Sequence, residues 1–303
     1  MESLPVIRAF TVLASTLRGD ASTCEHRRIA GVEALVARPR RGSGPVVVYA
    51  NAMTPLGVEQ PGVGRFLAGL ARAGFVAVAP ELPQVRRGEV TPETIDALVR
   101  VGRAAGPSVA LVGASTGGGL AILAAGDPRL RHRVTAVAAI APFASLRNVI
   151  RLATTGYYGE RPYSAAPLLA CAAARSLAAT APDDPAVPAL LANLDPSRFD
   201  ELYAALEPRT RALVEELSPL ARIGDVSAPV ELASSPSDPF FPVEEVHALA
   251  SAGRDVRLTV TPALLHVIPR LRPGLASVVA LLDRTLRRAA EHGPMPALRL
   301  SVA

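Results

Sequence analysis

The 303-residue chain (31.5 kDa) is half apolar and 19% charged, enough to bury a full core, which excludes a disordered chain, a collagen-like fibre and a small disulfide scaffold. Its formal charge of +5 comes from 32 Arg against 27 acidic residues, with no Lys anywhere. The arginines stand in ones and twos, and seven Phe, five Tyr and no Trp offer few stacking platforms, so nucleic-acid binding is not expected.

The first segment, MESLPVIRAFTVLASTLRG, has Glu2 where a secretion signal needs positive charge, and Arg8 breaks its apolar run. It reads as the N-terminal helix of a cytoplasmic protein. No stretch reaches the ~18 apolar residues of a spanning helix, so no stable membrane insertion is expected. Ile29 to Ala37 alternates like a strand and stops before Pro39. PVVVYA (45–50) is a short continuous apolar run, as a buried strand requires. Arg65 to Ala73 reads as a helix stopped by Gly74, and FVAVAP (75–80) as the next strand. Thr91, Pro92 and Glu93 open a helix that reaches about Arg103.

SVALVGASTGGGLAILAAG (108–126) is strand, glycine-rich corner and helix, followed by a strand in VTAVAAIAP (134–142). From Phe143 to about Leu217 the chain turns Ala/Leu-rich and helical, cut repeatedly by Pro, with no strand candidate. APVELAS (228–234) and DVRLTVTP (255–262) resume the strand pattern, and an amphipathic helix runs from about Gly274 to Ala290. The alternation predicts one α/β domain over 1–303 with a largely parallel sheet and a helical insertion at 143–217. Arg without Lys, with 28 Pro, is the pattern of a GC-rich bacterial coding sequence, so the basic balance says little about partners.

Gly113-Ala114-Ser115-Thr116-Gly117 is a G-x-S-x-G sequence between a buried strand and a small-residue helix. That setting is what a nucleophile elbow needs: a sharp turn holds the serine, and glycines let strand and helix approach. A lysine-type phosphate cradle is excluded by the absence of Lys. On these residues the chain resembles the α/β-hydrolase family, from about Ile29 to Ala290. The resemblance implies Ser115 as nucleophile, with an acid and then a histidine downstream.

Asp238, in SSPSDPFFP after the strand 228–234 and shortly before Pro242, fits the acid; Asp225, Glu244 and Glu245 are the alternatives. Among five histidines, His26 precedes the core sheet, His132 sits in a basic turn, His247 lies inside a helix and His292 beyond the last one. His266 follows the final strand and is the candidate base. In such a triad His266 takes the Ser115 proton, and Asp238 fixes the imidazole tautomer. The oxyanion donors implied are the backbone N–H of Thr116 and that of Ala52, with Met53 as the lesser choice. Here the chain departs from the family: Ala50-Asn51-Ala52-Met53 stands where many members carry His-Gly.

The insertion lies where this fold commonly carries a lid, and Tyr157, Tyr158, Tyr163 and Tyr203 point to an apolar roof, or else only pack the insertion onto the core. Arg147 and Arg151, one helical turn apart, are read as a solvated face and not as a carboxylate clamp. Cys24 and Cys171 form no CxxC and have no His at ligand spacing, so no metal or cofactor is expected. The expectation is a cofactor-independent serine hydrolase acting on a small to medium apolar ester or thioester. Amidase, C–C hydrolase and acyltransferase chemistries use the same triad. A hydrolase-fold protein that binds or scaffolds without turnover is the competing class.

Overall fold

The computed structural model describes residues 4–18, 23–163 and 168–291. Helix α1 (Leu4–Arg18) precedes a hairpin of β1 (Cys24–Ile29) and β2 (Val32–Ala37). One strand was expected over 29–37; instead Ala30 and Gly31, at φ 49° and 78°, turn the chain back there. The added strand, CEHRRI, escapes pattern reading because it sits at the sheet edge with its middle residues exposed.

The core then builds as β3 (Val46–Ala50), α2 (Pro61–Arg72), β4 (Val76–Pro80), α3 (Pro83–Arg87), α4 (Pro92–Ala105), β5 (Val109–Ala114), α5 (Thr116–Gly126) and β6 (Val134–Ile140). An excursion follows, with α6 (Leu146–Thr155), a two-residue ladder of β7 (Tyr157–Tyr158) and β8 (Arg161–Pro162), and helices α7 (Leu168–Thr180), α8 (Val187–Leu191), α9 (Phe199–Ala204) and α10 (Pro208–Glu216). The ladder corrects the expectation of a strand-free segment; two residues are too few to show a period. The chain returns through β9 (Val230–Ser234), α11 (Val243–Ala252), β10 (Val256–Val260), a second ladder of β11 (Leu264–Leu265) and β12 (Ile268–Pro269), and α12 (Leu275–Ala290).

Eight strands form one sheet in the order β1-β2-β4-β3-β5-β6-β9-β10. Only the β1/β2 and β2/β4 pairs are antiparallel; the others run parallel. Side chains alternate across the sheet. Val47, Ala77, Ala110 and Val112 pack beneath α1, α2 and α12, while Val46, Val48, Val78 and Leu111 pack beneath α4, α5 and α11. Covered on both faces, the central strands are apolar throughout, and α5 is buried at every residue. Leu177, Leu190, Phe199 and Leu217 of the excursion join the same cluster as Leu111 and Leu120.

Parallel strands bring their carboxyl ends to one edge, the usual place for a ligand crevice in such sheets. The loops after β3, β5, β9 and β10 all emerge there. Among the described residues no helix is long and apolar enough to cross a membrane.

Candidate active site

β5 ends at Ala114 and α5 starts at Thr116, so Ser115 alone makes the corner. It sits at φ 54°, ψ −125°, a region that side-chain-bearing residues occupy only when their surroundings over-determine it. Its N–H donates to Ile140 O (2.7 Å), and its carbonyl accepts from Gly118 N (2.8 Å). The flanking glycines are sterically required. A Cβ on Gly113 would stand 2.1 Å from Gly117 O, and one on Gly117 would stand 2.1 Å from Ala50 O. Thr116 N–H belongs to the first turn of α5, where amides have no intrahelical acceptor and the helix dipole favours negative charge.

Asp238 lies in the turn after β9, its side chain fully buried. Oδ1 accepts from the amides of Phe240 (2.8 Å) and Phe241 (3.0 Å). His266 caps the β11–β12 turn at φ 52°, and its Nδ1 is 2.8 Å from Asp238 Oδ2 and 3.0 Å from Oδ1. An ionised carboxylate only accepts, so Nδ1 carries the proton and Nε2 of the neutral ring is left as the acceptor. The Phe240 ring packs on the imidazole at 4.5 Å between centroids. Ser115 Oγ and His266 form no hydrogen bond with each other in this conformation.

The loop after β3 is pinned from three sides. Asn51, largely buried, accepts Ala52 N–H at Oδ1 (2.8 Å) and donates from Nδ2 to Gly57 O (2.7 Å). Glu81 accepts Val58 N–H (3.0 Å), and Arg86 donates to Pro55 O (2.7 Å). Ala52, the expected second oxyanion donor, thus has its N–H held by its neighbour's side chain. Met53 N–H makes no hydrogen bond to another described residue.

The remaining candidates fall away from this edge or serve packing. His26 pairs with Glu59 (3.2 Å) at the surface, His247 is exposed on α11, His132 lies in its basic turn, and His292 lies outside the described residues. Glu244 pairs with Arg161 (2.7 Å). Arg147 and Arg151 both reach Asp200 and lie over the Phe199 ring. They bind within the excursion and form no free clamp. Cys24 Sγ rests 3.4 Å from Gly64 O; the Cys171 side chain lies outside the described residues.

Two features are invisible in the sequence. Glu245, only 1% exposed, accepts from Ala144 N (2.6 Å), Ser145 N (2.9 Å), Asn148 Nδ2 (2.9 Å) and Tyr158 O–H (2.7 Å). It ties the start of the excursion to α11. Tyr163 O–H donates to the main-chain oxygen of Asp238. Two of the expected roof tyrosines are thus committed to holding elements together.

The chain has the α/β-hydrolase fold. It is similar to Est1E from Butyrivibrio proteoclasticus, with 14% identity, 88% of this chain and 99% of that one covered, and a TM-score of 0.57. A hormone-sensitive lipase from a metagenome library matches at 14% identity over 94% of this chain and 93% of that one, TM-score 0.59. A puromycin-hydrolyzing peptidase of Mycobacterium tuberculosis matches 88% of this chain at 16% identity, TM-score 0.58, and the chain spans 39% of its length. No family model and no curated protein matches.

Proposed function

We propose that the protein is a serine hydrolase that cleaves a small to medium apolar ester or thioester through an acyl-enzyme. Ser115 is the nucleophile, His266 the general base and then acid, and Asp238 the group that fixes the imidazole tautomer and stabilises the imidazolium. The observation that carries this reading is the Ser115 corner: a serine at φ 54° at the carboxyl end of β5, on the same sheet edge as the loops after β9 and β10 that carry a buried histidine–carboxylate pair. Two of the similar structures are named for hydrolysis, a lipase and a puromycin-hydrolyzing peptidase.

In the reaction Ser115 Oγ attacks the carbonyl carbon while Nε2 of His266 takes its proton. The tetrahedral oxyanion receives Thr116 N–H and one donor from the 51–53 loop. Met53 N–H is free for that role, and Ala52 N–H serves once it leaves Asn51 Oδ1. His266 then returns the proton to the leaving oxygen or sulfur, and water repeats the sequence on the acyl-enzyme. The excursion at 143–217 acts as the substrate cover.

The test is labelling with a small fluorophosphonate, followed by turnover of p-nitrophenyl esters and matching thioesters of graded chain length. Labelling of the native chain and its loss in Ser115→Ala, with turnover down by roughly 10³-fold or more, supports the reading. Equal labelling of both proteins refutes it. One observation favours a second reading, a binding protein without turnover: Ala52 N–H is already satisfied by Asn51 (2.8 Å). A folded native chain that neither labels nor turns over any ester of the panel favours that reading.

A further inference from the structure

The excursion touches the acid loop itself. Tyr163 follows directly on β8, and its N–H closes the small hairpin on Gly156 O (2.8 Å). Its phenol donates to Asp238 O. The next residue is Pro239, so the 238–239 peptide has no N–H, and its carbonyl oxygen is its one hydrogen-bonding atom. Among the described residues Tyr163 is the only donor to that oxygen. The other end of the same residue, Asp238 Oδ1, sets the turn by accepting Phe240 and Phe241 N–H and shares its carboxylate with His266.

The hairpin is itself latched to α11, the helix that begins just after this turn. Tyr158 donates to Glu245 (2.7 Å) and Arg161 to Glu244 (2.7 Å). Burial, and then the Asp238 charge, push the Tyr163 hydroxyl up to about 12, so it remains a donor across neutral pH.

We propose that Tyr163 is a positioning residue for the Asp238–His266 pair. By holding the Asp238 carbonyl it fixes the rotation of the 238–239 peptide, and so the direction in which the carboxylate meets Nδ1. The excursion thereby reaches the charge pair through one phenol, and a shift of the hairpin is felt at the imidazole. This rests on the hydrolase reading for its kinetic arm only; the spectroscopic arm reads the pair directly.

The experiment compares Tyr163→Phe, which removes one oxygen, with Asn148→Ala, which removes a different bond of the same region (to Glu245, 2.9 Å) without touching Asp238. Proton NMR follows the low-field Nδ1–H resonance of His266, assigned by its loss in Asp238→Asn. Kinetics on the best p-nitrophenyl ester follow kcat and KM separately. Tyr163→Phe should shift or broaden the resonance and lower kcat roughly 10-fold, with KM within about twofold, while Asn148→Ala leaves the resonance in place. Should Tyr163→Phe not fold, Arg161→Gln, on the exposed side of the hairpin, should move the resonance in the same sense by less. An unchanged resonance in the folded Tyr163→Phe, or in Arg161→Gln in its stead, overturns the proposal. So does an equal shift in Asn148→Ala, which would make the effect one of general loosening. Activity that survives Ser115→Ala refutes the hydrolase reading and leaves the resonance test standing.

Discussion

Ser115 is a serine where glycine would be at ease. A positive-φ residue with a Cβ stores on the order of 1 kcal/mol that glycine does not. Ser115→Gly should therefore melt above Ser115→Ala by roughly that amount, read by calorimetry on the two proteins. Equal or reversed melting temperatures would mean that the corner is unstrained. Gly117→Ala should do the opposite, because its Cβ meets the backbone oxygens of Ala50 (2.1 Å) and Asn51 (2.4 Å), which cannot swing aside. A loss of about 3 kcal/mol is expected, seen as a lower denaturant midpoint. The glycines and the strand–corner–helix run around Ser115 are legible in sequence because both constraints are local. Asp238 and His266 are legible as candidates because each follows a strand. The bonds Asn51 makes to Ala52 and Tyr163 makes to Asp238 are not legible, since they depend on where side chains point after long stretches of chain have folded together.

Among the elements, the buried strands and long helices read clearly from apolar runs and caps, whereas β1 and the β7–β8 ladder do not. β1 is a polar edge strand with one supported side; the ladder is held by the bonds that Tyr158 and Arg161 make to α11, distant in sequence. Glu245 belongs to this scale. Its two oxygens receive four donors, two of them amides at the start of the excursion. Glu245→Gln keeps the shape but offers an N–H₂ where acceptors are needed, leaving buried donors unpaired at about 1–3 kcal/mol each. A fall in melting temperature of roughly 3–9 °C is expected for a chain of this size. A change under 2 °C would show that the carboxylate is not the tie described.

For the molecule as a whole, the excursion is not a detachable cover. Its Leu177, Leu190 and Phe199 share a cluster with the central sheet, and Ser176 Oγ accepts Val90 N–H from the loop before α4 (3.0 Å). Replacing 146–216 by a short linker should abolish cooperative unfolding by circular dichroism; a sharp melt would show the two parts to be separable. Arg129 gathers one of the surface contributors to acid stability. It holds the carboxyls of Asp96 and Asp127 below their usual range. Groups so depressed stabilise the fold above their unfolded value and cease to do so as pH falls through the folded one. Because this network is solvent-exposed, Arg129→Gln should cost only about 1 kcal/mol at pH 7. The difference from the native protein should shrink as pH falls below the ordinary aspartate range and through the depressed folded values, measured by urea titration at each pH. A gap that persists or widens in acid would contradict the assignment.

The four loops that meet at the sheet's carboxyl edge come from strands spread over most of the chain, and about half its length separates Ser115 from His266. During synthesis the serine corner leaves the ribosome long before the segment that carries the imidazole. A nascent chain ending short of β10 carries Ser115 without the His266 imidazole, so on the proposed mechanism it holds an ordinary, unreactive alcohol. On that mechanism the growing protein stays inert until its last sheet strand and the segment behind it are in place, and completion of the fold switches the chemistry on.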